Sequence, residues 1–320
     1  MERYFKLRGC WLAGLDPTRF PTLLFRHDGR WDLRGISLDI SLPKQIDLPG
    51  GQVFDVSKIQ NRNLFHKVQF RDFDFSYANL DGAYFEDCLF ENVLFQEARG
   101  YAVDDKGSVF RNVDFFKASW RGATLGFDGA RYEHANFQHA DLRGIRCYRG
   151  YFIDCDFSEA KLVDTDFRAS HFIRCKFKGQ LKKIWFRGYY SHTDDEATFG
   201  KTEPNPMEDV DFSEADLREV SFTGDIDLSR VIPPQDGKHI LYQDWPGTLV
   251  KAQREVQNKW EGVFQEQALG KIRSLSMIKR SMNIVNLADI EEIAAIGFPD
   301  PSLVKEFCRQ FADLLVRSVQ

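Results

Sequence analysis

The sequence predicts a β-solenoid, preceded by a non-repetitive N-terminal cap and followed by an α-helical C-terminal region. Three observations carry this. A large apolar residue returns every fifth position, a small residue stands two places before it, and turn-forming residues lie between these pairs. The clearest stretch is FSEAKLVDTDFRASHFIRCKF. Its large residues are Phe157, Leu162, Phe167, Phe172 and Phe177, and its small ones are Ala160, Thr165, Ser170 and Cys175. On a helix, steps of five residues turn about 140° each and would spread these side chains around the cylinder. On a straight strand, positions five apart face opposite ways. The pattern works only if the chain extends briefly, bends and repeats, with bends at Asp81-Gly82, Arg121-Gly122, Arg143-Gly144 and Ser213-Glu214.

The N-terminal segment, residues 1–62, is not repetitive. It holds Trp11, the PTLLF stretch at Pro21 to Phe25, and an alternation at Ile36, Leu38, Ile40 and Leu42. That alternation reads as a strand capping the open first coil, whose edge otherwise invites aggregation.

Repeats occupy residues 63–229. A first block runs Phe65, Phe70, Phe75, Leu80, Phe85, Phe90 and Phe95, and a second Phe110, Phe115, Trp120 and Leu125. After a two-residue slip the longest block begins at Tyr132 and passes through Phe137, Leu142, Cys147 and Phe152 into the stretch above. Phe212, Leu217 and Phe222 form a last piece. Two interruptions are read as insertions: residues 100–109, expected to bulge from one corner, and residues 181–209.

Ala78-Asn79-Leu80, Ala135-Asn136-Phe137, Ala140-Asp141-Leu142 and Ala215-Asp216-Leu217 resemble the signature of pentapeptide-repeat proteins. The resemblance covers about half the chain. It implies a right-handed quadrilateral β-helix with four pentapeptides per coil, so residues 20 apart should stack. Phe137, Phe157 and Phe177 should form one ladder and Tyr132, Phe152 and Phe172 another, with coils about 4.8 Å apart.

From about Val231 the chain changes character. Pro233-Pro234 marks a boundary, and residues 230–320 read as helical. Leu249, Val256, Trp260, Val263 and Phe264 fall on one helical face, followed by Leu269, Ile272, Leu275 and Ile278. A last helix is expected with Asp300 as N-cap, Pro301 at its first position, and Leu303, Phe307, Phe311, Leu314 and Leu315 as its apolar stripe. Phe307, Phe311 and Leu314 are expected to cover the last coil, with dimerisation or partner binding as further uses of these helices.

Composition narrows the function classes. A net charge of −5 with mixed signs argues against direct nucleic-acid binding. No apolar run is long enough for a transmembrane helix, and the opening residues lack a secretory core. Six cysteines without metal-ligand spacing read as free thiols of a cytoplasmic protein. Cys88, Cys155 and Cys175 occupy small inward positions and read as packing. His134 and His139 are expected outside, on adjacent faces. No GxxxxGK(S/T), GxSxG, HExxH or EF-hand pattern is present, so no catalytic residue, cofactor site or metal site is assigned.

Function is therefore expected where regularity breaks. Trp185, Phe186, Tyr189, Tyr190 and His192, followed by Asp194 and Asp195, are the candidate partner-binding residues, because clustered aromatics with mixed charge are typical of recognition surfaces. The repeat core is represented by Phe75, Leu80, Phe137, Leu142, Phe157, Leu162, Phe167, Phe172 and Phe177. The first reading is a non-enzymatic protein–protein interaction or scaffold protein of regulatory or immunity type, its partner a protein of unknown identity. The alternative comes from the resemblance: some pentapeptide-repeat proteins mimic DNA and bind DNA gyrase, a topoisomerase. Mimicry calls for a continuous acidic face. Residues 63–99 carry seven acids and three bases, but residues 110–180 carry nine acids and twelve bases.

Overall fold

Side chains about one coil apart stack in four columns, which define the four walls of a β-solenoid. The computed structural model describes residues 26–35, 45–48, 52–55, 64–190, 196–197, 201–203, 205–224 and 226–319. Strands and single-residue bridges pair in parallel along the solenoid, with Phe90 beside Phe110, Phe110 beside Tyr132, and Tyr132 beside Phe152. The first wall carries Phe65, Phe85, Asp105, Leu125, Cys147, Phe167, Phe186 and Phe222 inward. The second carries Phe70 through Phe172 to Met207, the third Phe75 through Phe177 to Phe212, and the fourth Leu80, Gly100, Trp120, Leu142, Leu162, Leu181 and Leu217.

The aromatic columns are ladders. Ring centroids of Phe137 and Phe157 lie 4.8 Å apart, those of Phe157 and Phe177 4.9 Å, and those of Phe152 and Phe172 5.1 Å. The rings are close to parallel because the backbone repeat sets their spacing at the coil pitch, which suits stacked rings. Every fifth-position residue named for the repeat core is buried. The small positions let the chain turn. Cys155 and Cys175 are buried free thiols there, and each donates to a carbonyl on the preceding coil, of Tyr132 (3.4 Å) and Phe152 (3.2 Å).

Both predicted interruptions need correction. Residues 100–109 do not bulge. They continue the coil in register, with Tyr84 bridged to Asp104 and Asp104 to Thr124. Gly100 and Asp105 fill the two large-residue positions, and Val103 and Ser108 the small ones, all buried. A Cβ on Gly100 would lie 3.1 Å from the Trp120 indole nitrogen, so the large ring of one coil occupies the space the glycine leaves on the coil before it. The extra residues sit at the slip instead, as a tight turn over Phe127–Gly129.

The second interruption is shorter than predicted. A strand spans Lys176–Arg187, and Leu181, Ile184 and Phe186 are inward core residues paired with Leu162, Thr165 and Phe167. The apparent break at Leu181 arises because one unit has four residues, turning at Gly179. The departure begins after Arg187, and the second-wall column resumes at Met207, whose neighbour Glu208 bridges to Ile173.

At the other end, a hairpin of Arg26–His27 and Arg30–Asp32 joins the wall below Phe73, and Leu33 is buried in the core. The alternation at Ile36 to Leu42, Trp11 and the PTLLF stretch lie outside the described residues.

Beyond the solenoid, the strands His239–Tyr242 and Asn283–Asn286 pair antiparallel; α1 (Trp245–Lys259) and α2 (Gly262–Ser276) lie between them in the chain, and α3 (Leu287–Ala295) and α4 (Val304–Arg317) follow the second strand. The Asp244 side chain caps α1 by accepting from the Gly247 amide at 2.8 Å. Val263 and Phe264 belong to α2, because Trp260 adopts an extended conformation and separates the two helices. Asp300 caps a turn at Ser302 rather than the helix, which starts at Val304.

The predicted covering of the last coil by Phe307, Phe311 and Leu314 is also corrected. Those residues form a separate helical core, with Phe307 ringed by Phe264, Phe298 and Phe311. Met282 and Ile284, at the start of the second strand of this pair, join the solenoid core in their place, together with Ile226, Leu228 and Val231.

Candidate functional site: the outer walls

Outward residues on one wall fall into columns along the axis, so each has a neighbour about 4.8 Å above and below. Opposite charges in such a column attract and like charges repel. On the second wall the column reads Arg71, Glu91, Arg111, Glu133, and its members pair: Arg71 with Glu91, and Arg111 with Glu133 at 2.7 Å. On the first wall His66, Glu86 and Lys106 alternate in the same way, at 3.1 and 3.0 Å. Asp154 holds Arg174 through two bonds, of 2.6 and 2.7 Å. These pairs hold the carboxyls of Glu86, Glu133 and Asp154 below the ordinary range, through hydrogen bonds from Lys106, Arg111 and Arg174 respectively. On the third wall, Asp114, Asp156 and Asp211 turn inward along the chain instead, each accepting from the amide two residues on.

The corner between the fourth and first walls, in the C-terminal half, departs from this alternation. Arg121 and Arg143 occupy one column on successive coils, and Lys182 follows two coils beyond. Lys161 lies beside them, Lys183 at the corner, and Arg146, Arg168 and Arg187 on the first wall. Eight cations thus share this corner with Asp141, Asp164 and Asp166, and Glu219 stands beside Lys183 on the next coil. Asp141 is held by Arg143, and Asp166 by Arg168 and Arg187, at 2.8 Å each. Arg121, Arg146, Lys161, Lys182 and Lys183 form no ion pair among the described residues. Tyr148 and Trp185 stand among these cations, with Arg168 over the Tyr148 ring and Arg187 over that of Trp185.

The four candidate partner-binding residues that are described do not share one surface. Phe186 is fully buried in the core, between Phe167 and Phe222, and Tyr190 is buried as well. Trp185 is half-buried on the first wall, and Tyr189 is exposed. His192, Asp194 and Asp195 lie outside the described residues. The returning limb docks on the second wall. The Glu203 carbonyl accepts from His171 Nε2 (3.0 Å), Tyr151 packs edge-on against His171, and Asn205 Oδ1 accepts from the Phe172 and Met207 amides. Burial keeps the His171 imidazole below its ordinary pKa, which suits a neutral ring donating one proton. His134 and His139 are exposed on successive corners, as expected.

Two features escaped the sequence reading. One is the charged corner: counting along a window mixes four walls, and only sorting by position within the 20-residue coil separates them. The other is Asp105, whose place in the five-residue count between Phe95 and Phe110 was the available signal.

A family profile described as pentapeptide repeats matches residues 151–179, with eight copies. Together with the four stacked columns, this identifies the solenoid as one of pentapeptide repeats. Among solved structures, a trypsin-treated variant of QnrB1, a plasmid-mediated fluoroquinolone resistance protein, is similar at 19% identity, over 50% of this chain and 81% of that one, with a TM-score of 0.23. HetL, a pentapeptide repeat protein involved in heterocyst differentiation regulation in the cyanobacterium Nostoc, is similar at 14% identity, over 63% and 85%, with a TM-score of 0.22. A pentapeptide repeat protein from the thylakoid lumen of Arabidopsis thaliana is similar at 21% identity, over 40% and 67%, with a TM-score of 0.16. A search of curated proteins returned no match.

Proposed function

We propose that this chain is a non-enzymatic, cytoplasmic scaffold that binds a protein partner along the outer walls of its solenoid. The observation that carries this is how the helical unit is joined to the rod. The last strand's free amides are taken up by side chains of the C-terminal region: Leu217 N–H donates to His239 Nε2 (3.0 Å) and Glu219 N–H to Asp289 Oδ2 (2.6 Å). Arg218 adds bonds to Asp289 and Glu292. The rod's end is thereby occupied, and its flat walls are the broad surfaces left for a partner. Exposed Tyr189, two residues past Arg187, contributes to docking.

DNA mimicry toward a topoisomerase requires an unbroken acidic face. The alternating ion pairs and the cationic corner support the scaffold reading instead. The test is native-lysate capture with the full chain as bait, followed by reconstitution with the purified partner, and a gyrase supercoiling assay in parallel. A stoichiometric complex with supercoiling unchanged is expected. Inhibition of gyrase by the purified chain, with no other stable partner, would overturn the scaffold reading.

A further inference from the structure

We propose that the corner between the fourth and first walls is the docking surface, and that it takes an acidic protein segment. This rests on the scaffold reading and deepens it by naming the partner's chemistry. The argument is internal to the molecule. On the first and second walls of the N-terminal coils, facing charges alternate and pair, as in Arg71–Glu91, Arg111–Glu133 and Glu86–Lys106. Here Arg121 and Arg143 adjoin with the same sign, as do Lys182 and Arg218, and Lys161 and Lys183, though in register with Asp141 and with Asp164 and Glu219, form no ion pair among the described residues. Like charges directly opposed across strands destabilise a sheet. The Arg121–Arg143 contact carries this cost, and an incoming set of carboxylates removes it.

The geometry favours a protein over a nucleic acid. The cations from Arg121 to Lys182 span three coil steps, about 14 Å, which fits a short acidic helix or strand. Asp141, Asp164 and Asp166 lie among them and oppose a continuous row of phosphates, while a protein partner can meet them with its own cations. The chain's net charge of −5 repels a long polyanion beyond the corner. Tyr148 and Trp185 supply the aromatic surface that protein interfaces favour.

The experiment is a fluorescence-anisotropy titration of the full chain with labelled oligoglutamate, and with single-stranded and duplex DNA of matched charge. A triple variant, Arg121→Glu, Lys161→Glu and Lys182→Glu, is compared with a control of equal charge change, Lys117→Glu, Lys251→Glu and Lys305→Glu. All six positions are outward, so circular dichroism and melting should be unchanged. Oligoglutamate should bind the wild type with an affinity that falls with salt, and the corner variant should lose at least about tenfold while the control stays within about twofold. Absence of oligoglutamate binding, or equal loss in both variants, overturns the assignment. Tighter, corner-dependent binding of either DNA overturns the choice of a protein partner. The captured partner separates the two readings: if it binds the corner variant undiminished, the corner assignment fails and the scaffold reading stands; if no partner is captured, the scaffold reading itself fails.

Discussion

The phenol of Tyr132 donates a hydrogen bond to the carboxylate of Asp105, 27 residues earlier and one coil below. Both side chains are fully buried. The same carboxylate accepts from the amides of Gly126 (2.9 Å) and Phe127 (3.0 Å), which begin the turn where the repeat gains two residues. Gly126 has a left-handed φ of 73°, and a Cβ there would lie 2.4 Å from Gly150 Cα. An inward acid thus anchors the fault in the coil.

Burial raises the Asp105 carboxyl to about 7, outweighing the hydrogen bonds that favour its charge. Tyr132 is held well above its ordinary value, by burial first and by the Asp105 charge second, so it remains the donor. A carboxyl with a raised folded pKa binds its proton more tightly in the native state. Its stabilising contribution is full below the ordinary aspartate range and is lost as pH rises to about 7, with a slope of at most about 1.4 kcal/mol per pH unit. Asp105→Asn should remove that component and cost about 1–3 kcal/mol, since an amide cannot accept at both oxygens. Subtracting the variant's denaturation profile from the wild type's between pH 4 and 8 should leave this slope; a flat difference would contradict it.

The ladders set the next expectation. Phe157→Ala should cost about 3–5 kcal/mol, because Phe137 and Phe177 lose a stacked neighbour and a cavity remains. Asp164→Asn, at an exposed corner with φ of 53°, should change stability by less than about 0.5 kcal/mol. Urea denaturation with equal shifts for both would invert the inward and outward assignment.

Gly100 offers a less intuitive case. Restoring a large repeat residue with Gly100→Leu should destabilise by about 1–3 kcal/mol or more, since Val103 and Trp120 already fill the space. A rise in melting temperature would show that the position is underfilled.

At the seam, Asp289→Ala leaves the Glu219 amide without its acceptor and Arg218 with Glu292 alone. A loss of about 1–3 kcal/mol is expected, with faster hydrogen exchange at Glu219. Truncation after Pro233 should go further, uncovering the core beneath Met282 and Ile284 and making the chain aggregate. Light scattering decides it: a soluble, monomeric truncation with an unchanged melt would free Met282 and Ile284 from their capping role.

What the sequence by itself determined is the solenoid. Phe137, Phe157 and Phe177 announce a stack because the backbone repeats once per coil, and nothing but residue count is needed to place them. The C-terminal helices are legible for a similar reason, through Phe307, Phe311 and Leu314 on one stripe. Their docking was not legible. An apolar stripe says that a face is buried, not against what, and only tertiary packing assigned Phe307 to the helical core and Met282 and Ile284 to the solenoid's end. The candidate partner-binding aromatics parted for a like reason. A single four-residue unit before Leu181 moved Phe186 into the core, while Tyr189 stayed outside. The register of a β-wall is decided by its pairing with the coil before it, and a change of one residue exchanges inside for outside.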